Sequence, residues 1–365
     1  MSSAFIVGAG VVTALGNLEA TWQGLLQGCT GLGPAGLPMP LDRYPVGAIK
    51  GISAEYGSSI RLNKILDLLF EDLPVLPSDT PFVVSSTKAG VDELLGQSAE
   101  ICSGQPWNLA AEIGKRLEIA GPQVLLSAAC ASGTLAVINA AQQLVLGESD
   151  IVLVVGVDLL SRFVLSGFAR LQALSFENCR PFDCNRNGLA LGEGAGYLLL
   201  ATSEAAEARG WPILARVEAW GAACDAGHIT APSRDANGLL AALAACTVQK
   251  SLTVGAINAH GTGTKFNDAM ELTAFTTFWD SPPPFHSIKG SVGHCLGAAG
   301  VIEAAVALKS LAAGLIPPTV GLKQPDFAGL PVSGQEPFPL DFPSVLSTNS
   351  GFGGINACVL LSRPV

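Results

Sequence analysis

The sequence predicts an α/β fold in which helices cover both faces of a sheet. Short apolar runs of strand length alternate along the chain with alanine-rich runs of helix length, which is the pattern of α/β layers. Several strand-like runs are apolar at successive positions, as is typical of strands that are buried on both faces. Apolar residues make up 49% of the 365 residues and charged residues 14%, a balance that excludes disordered, coiled-coil and fibrous proteins.

The predicted elements follow one another along nearly the whole chain. Strands are predicted at Ala4–Val7, Phe82–Ser85, Val124–Ser127, Ile151–Gly156, Gly196–Ala201, Ile213–Ala219, Ala256–Ala259, Ser344–Ser347 and Asn356–Leu361. Helices are predicted at Asn17–Gln27, Ser132–Leu146, Ser203–Arg209, Gly238–Cys246, Asp268–Phe278 and Gly297–Ala313. The stretch 104–122 has room for one further short helix, whereas 37–81 is rich in turns and gives no clear assignment.

The chain divides near residues 201–212 into two parts, and each part offers strand–helix units followed by a pair of strands. This pattern is compatible with two similar halves, although the sequences of the two parts show no convincing similarity to each other.

Charge and cysteine content restrict the partners and the compartment. The formal net charge is −10, which argues against a broad nucleic-acid surface. Nine cysteines are scattered along the chain, and its first residues include no Lys or Arg, so we expect free thiols, no secretory leader and a cytoplasmic location. The uncharged stretch 119–147 contains polar residues and breaks into two parts, which predicts a buried strand, a turn and a helix rather than a membrane span.

The most informative segment is the turn around Cys130. From Leu125 to Thr134 the sequence is LLSAACASGT, in which a strand runs into small residues, a cysteine and then a helix. Small neighbours allow a sharp turn and let a substrate reach the sulfur, and a helix N-terminus favours the thiolate. A thiolate suits the exchange of acyl thioesters, while a small buried cysteine of a core helix is the competing interpretation.

Two of the four histidines lie in glycine-rich loops. His260 stands in the sequence AHGTGT after a strand, and His294 ends the sequence KGSVGH, ahead of a helix. Glycine beside a histidine permits the close approach of a ligand, so these loops and Cys130 together predict a site of one thiol and two imidazoles. His228 and His286 have no such setting and are interpreted as structural or surface residues.

The sequence predicts neither a metal nor a nucleotide cofactor. Cys179 and Cys184 lie near each other, but no second pair of zinc ligands follows them. The glycine-rich stretch Gly192–Gly196 leads into a strand rather than a helix, so it does not fit a phosphate-binding loop.

Together these segments resemble the β-ketoacyl synthases, condensing enzymes of the thiolase superfamily, in the branch that has a Cys-His-His site and acts on thioesters of acyl carrier protein. The motifs that carry the resemblance cover nearly the whole chain, at Gly8–Gly16, Trp22–Gly33, Ser127–Gly133, Arg180–Gly196, Ala259–Glu271, Ile288–Glu303 and Asn349–Asn356. The resemblance implies a thiolase-like fold of two similar half-domains in α-β-α-β-α layers, with the nucleophile in 1–205 and both histidines in 206–365. It also implies a homodimer, or a heterodimer with a homologous ketosynthase or chain-length factor, and no cofactor beyond the phosphopantetheine of the carrier.

The resemblance further implies a role for each motif. Cys130 would take an acyl group from a carrier, and malonyl carrier protein would lose carbon dioxide to give a carbanion that attacks this acyl group. His260 and His294 would donate hydrogen bonds to the malonyl thioester carbonyl. The remaining implied roles are a charged pair that holds the His294 side of the site (Lys289, Glu303), oxyanion-hole N–H groups (Cys130, Phe352), a gate (Phe352) and contacts to the pantetheine arm (Thr262, Thr264). Phe163 and Phe168 are candidates for lining an acyl channel, with core packing as the competing interpretation.

The chain departs from the family's pattern in several places. Ser350 stands where the family has a phenylalanine, which predicts a looser gate or a changed acyl preference. Asn187 replaces a common aspartate, and Cys295 replaces an aliphatic residue. The region 50–125 is shorter than in relatives, in which it contributes to the cap, the dimer surface and the carrier-docking edge.

Three alternative functions use the same fold. A degradative thiolase would carry a second catalytic cysteine in its C-terminal glycine-rich loop, and Gly351–Ile355 has none. A ketosynthase III would have asparagine in place of His294. A non-catalytic chain-length factor would usually lack the nucleophile. The condensing enzyme is therefore the favoured interpretation, with the pathway (fatty acid, polyketide or polyene) and the acyl length left open.

Two surfaces are expected to bind partner proteins. The apolar strand Ile151–Val157 is a candidate for the dimer interface, with core burial as the competing interpretation. Basic residues near the entrance would dock the acidic carrier, and the candidates are Arg61, Lys64, Lys115 and Arg116.

Overall fold

The computed structural model describes residues 3–88, 90–92, 105–247, 253–327 and 329–364. Its strands are β1 (Ala4–Thr13), β2 (Gly16–Asn17), β3 (Leu32–Pro34), β4 (Pro45–Gly47), β5 (Phe82–Ser85), β6 (Gln123–Leu126), β7 (Ile151–Asp158), β8 (Leu191–Gly192), β9 (Gly194–Ala201), β10 (Ala215–Cys224), β11 (Ala256–Asn258), β12 (Phe285–His286), β13 (Leu315–Ile316), β14 (Phe338–Pro339), β15 (Ser344–Gly351) and β16 (Ile355–Ser362). Its helices are α1 (Leu18–Leu26), α2 (Ser59–Leu69), α3 (Pro106–Leu117), α4 (Ser132–Val145), α5 (Arg162–Arg170), α6 (Ser203–Arg209), α7 (Asn237–Thr247), α8 (Lys265–Phe278), α9 (Lys289–Val292) and α10 (Ala299–Ala313). Short 3₁₀ turns lie at Leu41–Arg43 and Leu296–Ala298.

One sheet runs through the described chain in the order β12-β11-β15-β16-β10-β1-β9-β7-β5-β6. Its middle is the antiparallel pair of β1 and β10. Outward from β1 the order is β9, β7, β5 and β6, and outward from β10 it is β16, β15, β11 and β12. Counted along the chain within each half of the sheet, both orders are first, fifth, fourth, second and third strand. The parallel and antiparallel pairings are also the same in both halves. The prediction of two similar halves is confirmed, while their exact limits at 1–205 and 206–365 stay a prediction.

Two central helices separate the halves of the sheet. α4 and α10 contact each other, and each also contacts strands of both halves. The halves therefore lie on opposite sides of this helix pair. α2 packs on β1 and β9, and α7 packs on β10 and β16. The result is the α-β-α-β-α arrangement, which confirms the predicted fold class.

Glycines let the two central helices approach each other closely. A Cβ atom on Gly133 would lie 2.8 Å from the backbone nitrogen of Val301, and one on Gly300 would lie 2.4 Å from that of Thr134. These separations are too short for any side chain, so the contact requires glycine at both positions. The stretch Leu296–Ala313 is apolar and long enough to cross a membrane, yet 83% of it is buried inside the fold. Its hydrophobicity is that of a core helix.

The predicted strands and helices form with boundaries shifted by a few residues, and the helix expected within 104–122 is α3. The stretch 119–147 becomes β6, the turn at Cys130 and α4, as predicted. The sequence did not predict α2 or α5. Each begins at a serine whose hydroxyl accepts a backbone N–H of the first turn, at Ser58 and Ser161.

The expectation that the strand Ile151–Val157 forms the dimer interface is wrong. β7 pairs with β9 on one side and β5 on the other and is buried along its whole length, so it cannot pair with a second subunit. The outermost strand of this half is β6, whose Gln123 and Val124 are exposed. An edge strand carries unpaired backbone groups, which makes β6 the better candidate.

Candidate active site

A cavity of about 460 Å³ opens where the two halves meet. Four separate stretches of the chain that contribute to its wall are the turn at Cys130, the loop that carries His260, the loop that carries His294, and the turn of the β15–β16 hairpin at Ser350–Phe352. The structure therefore brings together the cysteine and the two histidines that the sequence singled out.

The turn that carries Cys130 is strained and braced. Ala129 has a φ of 49°, a left-handed conformation that is costly for a residue with a side chain. The hydroxyl of Ser132 accepts the N–H of Ala128 at 2.7 Å and donates to the carbonyl of Ala129, which holds the turn in shape. Cys130 consequently lies just before the first residue of α4, buried but lining the cavity.

Glycine at residue 351 favours the close approach of the hairpin to the nucleophile. A Cβ atom there would lie 3.1 Å from the backbone nitrogen of Cys130 and 3.2 Å from the carbonyl oxygen of Ala128. Both contacts are tighter than ordinary packing, so a side chain at 351 would require these backbone atoms to shift by a few tenths of an ångström. The neighbouring Phe352 is thereby placed beside Cys130 at the mouth of the cavity.

Two carboxylates of α8 shape the loop that carries His260. Glu271 accepts the N–H groups of His260 and of the glycine after it, each at 2.7 Å. Asp268 accepts the N–H of Thr262 at 3.0 Å and also faces Arg186. The backbone N–H groups of the loop thus donate to these two carboxylates, while the imidazole of His260 projects into the cavity.

His294 is fixed by backbone groups on both sides. Its own N–H donates to the carbonyl of Ala190 at 2.8 Å. The N–H of Leu296 donates to Nδ1 of His294 at 3.2 Å. A nitrogen that accepts a hydrogen bond carries no proton, so the neutral His294 ring must hold its proton on Nε2.

The three reactive side chains are close together. One ligand atom from each of Cys130, His260 and His294 lies within 4.8 Å of the others. The two imidazoles meet edge to face, with ring centroids 5.1 Å apart and an interplanar angle of 83°. All three residues are buried. A single thioester placed in the cavity would therefore be within reach of one sulfur and two ring nitrogens.

A charged pair supports the site from behind His260. The ammonium of Lys289 donates to Oε1 of Glu303 and to the backbone carbonyl of His260, and it lies 3.5 Å from Nδ1 of that ring. The family resemblance placed this pair on the His294 side; its hydrogen bonds go to His260, although Lys289 is also near enough to His294 to lower the pKa of that ring. Both members are buried, so the pair is shielded from solvent screening.

Two polar residues of this cluster were not singled out from the sequence. Asn349 donates from Nδ2 to Oε2 of Glu303 at 2.7 Å, and the same nitrogen lies 3.1 Å from Nδ1 of His260. Thr134 in α4 donates to Oδ1 of Asn349. Both lie within family motifs or beside them, but only the three-dimensional contacts connect them to the histidine.

Burial sets the protonation states. Burial, Lys289 and the neighbouring imidazole hold the pKa of His260 well below its usual range, and burial and Lys289 do the same for His294. Both rings are therefore neutral at physiological pH. Burial also raises the pKa of the Cys130 thiol to about 12, and the nearby Lys289 only partly offsets this. Burial thus favours the neutral thiol and opposes the thiolate that a helix N-terminus favours.

The same three side chains have the composition of a metal site, but their protonation does not fit one. A metal would need the lone pair of the ring nitrogen that faces the cavity. In His294 that nitrogen carries the proton, because Nδ1 is occupied by the N–H of Leu296. The arrangement instead offers hydrogen-bond donors toward the cavity.

The other predicted site residues surround the cavity to different degrees. Thr262 and Thr264 line it, with their hydroxyl oxygens 2.9 Å apart. Phe168 lines it too and stacks on Phe352, with ring centroids 5.6 Å apart. Phe163 lies outside the lining and is half exposed, so its proposed contact with an acyl chain stays a prediction.

The three single-residue departures from the family's pattern are all close to this site. Ser350 lines the cavity and donates to Oδ1 of Asn356 at 2.7 Å. Asn187 lines it as well and accepts the hydroxyl of Ser175 at 2.6 Å. Cys295 is buried in the core beside β8.

One of the expected docking residues is not on the surface. Arg61 is buried and forms an ion pair with Glu193, so its candidacy for carrier docking is wrong. The basic residues at 64 and 115 are exposed. Arg116 pairs with Asp67. No local sequence pattern predicts the Arg61–Glu193 pair, because the two residues are 132 positions apart.

Comparisons with known proteins agree with this geometry. Family models for the N-terminal and C-terminal domains of β-ketoacyl synthase match residues 83–206 and 214–323. Nodulation protein E of Rhizobium meliloti (strain 1021) is 36% identical over 279 residues, which are 73% of this chain and 69% of the relative. The 3-oxoacyl-[acyl-carrier-protein] synthase 2 of Vibrio harveyi is 28% identical over 98% of each chain. Among solved structures, the ishigamide ketosynthase/chain length factor is 26% identical with a TM-score of 0.90 over the full length of both chains.

Proposed function

The chain belongs to the β-ketoacyl synthase family, and on that premise we propose how its residues divide the condensation between them. It is an acyltransferase-type condensing enzyme of fatty acid or polyketide synthesis. Its substrates are carried on the phosphopantetheine of an acyl carrier protein, and it needs no further cofactor. The observation that carries the proposal is the meeting of Cys130, His260 and His294 in one cavity.

The first step is acyl transfer to Cys130. The sulfur attacks the carbonyl of the carrier-bound thioester, the bond from that carbonyl to the carrier's sulfur breaks, and the proton of the Cys130 thiol passes to the departing carrier thiol. The backbone N–H groups of Cys130 and Phe352 donate to the oxyanion of the tetrahedral intermediate. The covalent intermediate divides one difficult condensation into easier steps.

The second step is decarboxylation of the malonyl thioester. His260 and His294 donate hydrogen bonds from the cavity to the thioester carbonyl. The bond to the carboxylate breaks, carbon dioxide leaves, and the electron pair enters an enolate whose oxygen the two donors stabilise. This step needs donors rather than a strong base, which suits the neutral imidazoles that burial produces.

The third step joins the two substrates. The carbanion attacks the carbonyl of the acyl group on Cys130, a carbon–carbon bond forms, and the bond to the Cys130 sulfur breaks. The sulfur leaves as thiolate and takes a proton from solvent, which restores the resting thiol. Thr262 and Thr264 hold the pantetheine arm, and the Phe352–Phe168 stack acts as the gate beside the acyl group.

We expect the rate of decarboxylation to change by less than about twofold between pH 6 and 8, because both histidines have pKa values lowered below this range and stay neutral. Histidines of ordinary pKa, near 6.5, would change charge within it. Initial rates of carbon dioxide release from malonyl carrier protein, at constant ionic strength, test this. An ionisation near pH 6.5 that disappears in His294→Ala would contradict the assignment.

The protein acts as a dimer, formed with a second copy or with a homologous ketosynthase or chain-length factor. Support comes from the exposed edge of β6 and from a solved relative that is a ketosynthase in complex with its chain length factor, 25% identical with a TM-score of 0.83. Antiparallel pairing of two β6 edges would continue the sheet across both subunits.

Val124→Arg is expected to convert the dimer to a monomer, because it places a charge on the exposed face of the edge strand. Light scattering during size-exclusion chromatography would show about half the wild-type mass. Val75→Arg is the matched control, since Val75 is 96% exposed and lies outside the sheet. A variant at 124 that keeps the full mass would show that another surface forms the dimer.

The decisive assay uses the purified chain alone, with acyl carrier protein loaded with an acyl or a malonyl group. A β-ketoacyl product is the expected result. A non-catalytic chain-length factor is the second candidate, because a solved relative is a ketosynthase/chain length factor. Such a protein would give product only with a separate ketosynthase.

We place the enzyme in the cytoplasm, a location supported by the free state of all eight cysteines in the described part of the chain.

A further inference from the structure

Asn349 touches the back of a site histidine. It lies in β15, is fully buried, and its Nδ2 is 3.1 Å from Nδ1 of His260. The same amide nitrogen is 2.7 Å from Oε2 of Glu303, and its Oδ1 accepts the hydroxyl of Thr134. The side chain therefore has a partner on each polar atom.

These partners determine the orientation of the Asn349 amide, that is, which of its positions holds the NH₂ group and which holds Oδ1. Glu303 is paired with the ammonium of Lys289, so its carboxylate can only accept hydrogen bonds, and the NH₂ group must face it. Reversing the amide would bring Oδ1 against that carboxylate and would also leave the hydroxyl of Thr134 without its acceptor. The NH₂ group consequently faces Nδ1 of His260 as well.

An amide N–H that donates to Nδ1 requires a lone pair on that nitrogen, and a neutral imidazole then carries its only proton on Nε2. We propose that Asn349 is the positioning residue that fixes His260 as the Nε2–H tautomer, the form that can donate to a thioester oxygen. This inference rests on the proposed function for the meaning of that donor, but the tautomer itself can be measured without any substrate.

In both histidines a hydrogen-bond donor to Nδ1 keeps the ring proton on Nε2, but the two donors differ in kind. His294 receives its donor from the backbone N–H of Leu296, which no substitution at 296 other than proline removes. His260 depends on a side chain. Its tautomer can therefore be changed by mutation while the loop that carries it is kept.

Several other ionisable groups face the His260 ring. Lys289 lies 3.5 Å from Nδ1, and His294 and Cys130 lie on the cavity side. Glu271 binds the backbone N–H of residue 260, and Glu303 lies beyond Asn349. Lys289 is a second donor to Nδ1, but at a longer distance and with its main contacts elsewhere. Removing the amide should therefore weaken the preference, whereas a carboxylate in its place should reverse it.

Asn349→Asp supplies that carboxylate. It would share one proton with Glu303, since two carboxylates this close cannot both ionise. It would also accept a hydrogen bond from Nδ1–H of His260, so the neutral ring would present a bare Nε2 to the cavity. We expect decarboxylation at pH 8 to fall by about 100-fold or more, the effect of losing one preorganised donor. As the pH falls, the ring gains a second proton and recovers its Nε2–H, so the rate should rise by up to about tenfold per pH unit. The wild-type rate stays flat over the same range.

The tautomer is read by long-range ¹H–¹⁵N NMR of the full-length protein labelled at its four histidines. The signals of residue 260 are assigned by their loss in His260→Gln. The proposal predicts a protonated Nε2 and a bare Nδ1 in the wild type, and the opposite pattern in Asn349→Asp. A wild-type spectrum with the proton on Nδ1 would overturn the inference, whatever the activity.

Asn258→Asp is the matched control. Asn258 is also fully buried, and its amide donates to the backbone carbonyl of Glu303 at 3.0 Å. The change therefore places the same charge nearby without replacing the amide that faces Nδ1 of His260. It should leave the tautomer of His260 unchanged. A reversed tautomer in this control would overturn the inference, because it would assign the effect to charge alone.

Asn349→Leu is a second variant that tests the same proposal if the Asn349→Asp protein does not fold. It removes the donor without adding charge, and we expect a lower kcat for decarboxylation, an unchanged KM for malonyl carrier protein and a partial shift of the His260 tautomer. Unchanged kcat and an unchanged tautomer would overturn the inference. A wild-type enzyme that shows the Nε2–H tautomer but does not decarboxylate malonyl carrier protein would instead reject the proposed function and leave the tautomer assignment standing.

Discussion

Cys130→Ala should abolish acyl loading and condensation but leave decarboxylation of malonyl carrier protein. Loading requires the sulfur, and no other cysteine among the described residues lines the cavity. Decarboxylation requires only the donors on His260 and His294, whose supports do not pass through Cys130. We expect condensation to fall by about 10⁴-fold or more, as when a covalent nucleophile is removed. Mass spectrometry of the protein and measurement of carbon dioxide release read the two activities separately.

Cys246→Ala is the control for this variant, because Cys246 is another fully buried cysteine but lies in the core of the C-terminal half. It should load an acyl group as the wild type does. Full acyl loading of the Cys130→Ala protein would contradict the assignment of the nucleophile, and loss of both activities together would contradict the separation of roles.

His294→Ala should have the converse effect. It removes one of the two donors to the malonyl carbonyl, so decarboxylation should fall by about 100- to 1000-fold, the usual loss when one oxyanion donor is removed. Acyl loading of Cys130 should persist, because the oxyanion of that step is held by backbone N–H groups. Single-turnover measurements of loading and of carbon dioxide release distinguish the two steps.

His286→Ala controls for the loss of a buried imidazole. His286 is buried, has a pKa lowered to about 3 by burial alone, and does not line the cavity. Its loss should lower the melting temperature and leave decarboxylation per folded molecule unchanged. Equal losses of decarboxylation in the variants at 286 and 294 would show that His294 acts only on stability.

Much of the fold and of the site could be predicted from the sequence, because short runs of adjacent residues indicate the turns, loops and strands involved. The small residues around Cys130 reflect the sharp turn that the structure shows, with Ala129 in a left-handed conformation. The glycines next to His260 and His294 mark loops in which backbone groups approach closely. Strands such as β5 and β7 are apolar on both faces because helices cover both faces of the sheet. Such signals survive in a single sequence because each depends on a few adjacent residues.

The remainder depends on contacts between distant positions, which no local pattern reveals. Asn349 acts on a histidine 89 positions away, and the motif in which it lies does not connect it to that histidine. Arg61 has the appearance of a surface cation until Glu193 is found beside it in the core. The effect of burial on the pKa of the Cys130 thiol could not be predicted for a related reason, because the depth of burial is a property of the whole fold.

The central claim is that one sulfur and two imidazoles serve the same thioester, and sequential mass spectrometry tests it most directly. The wild-type protein is first incubated with acyl carrier protein that bears a labelled acyl group, and then with malonyl carrier protein. We predict that the mass of the acyl group appears on a peptide that contains Cys130 and disappears on addition of the malonyl carrier, as labelled β-ketoacyl carrier forms. An acyl group that stays on Cys130 while carbon dioxide is released would contradict the claim, because decarboxylation and the nucleophile would then lie in separate sites.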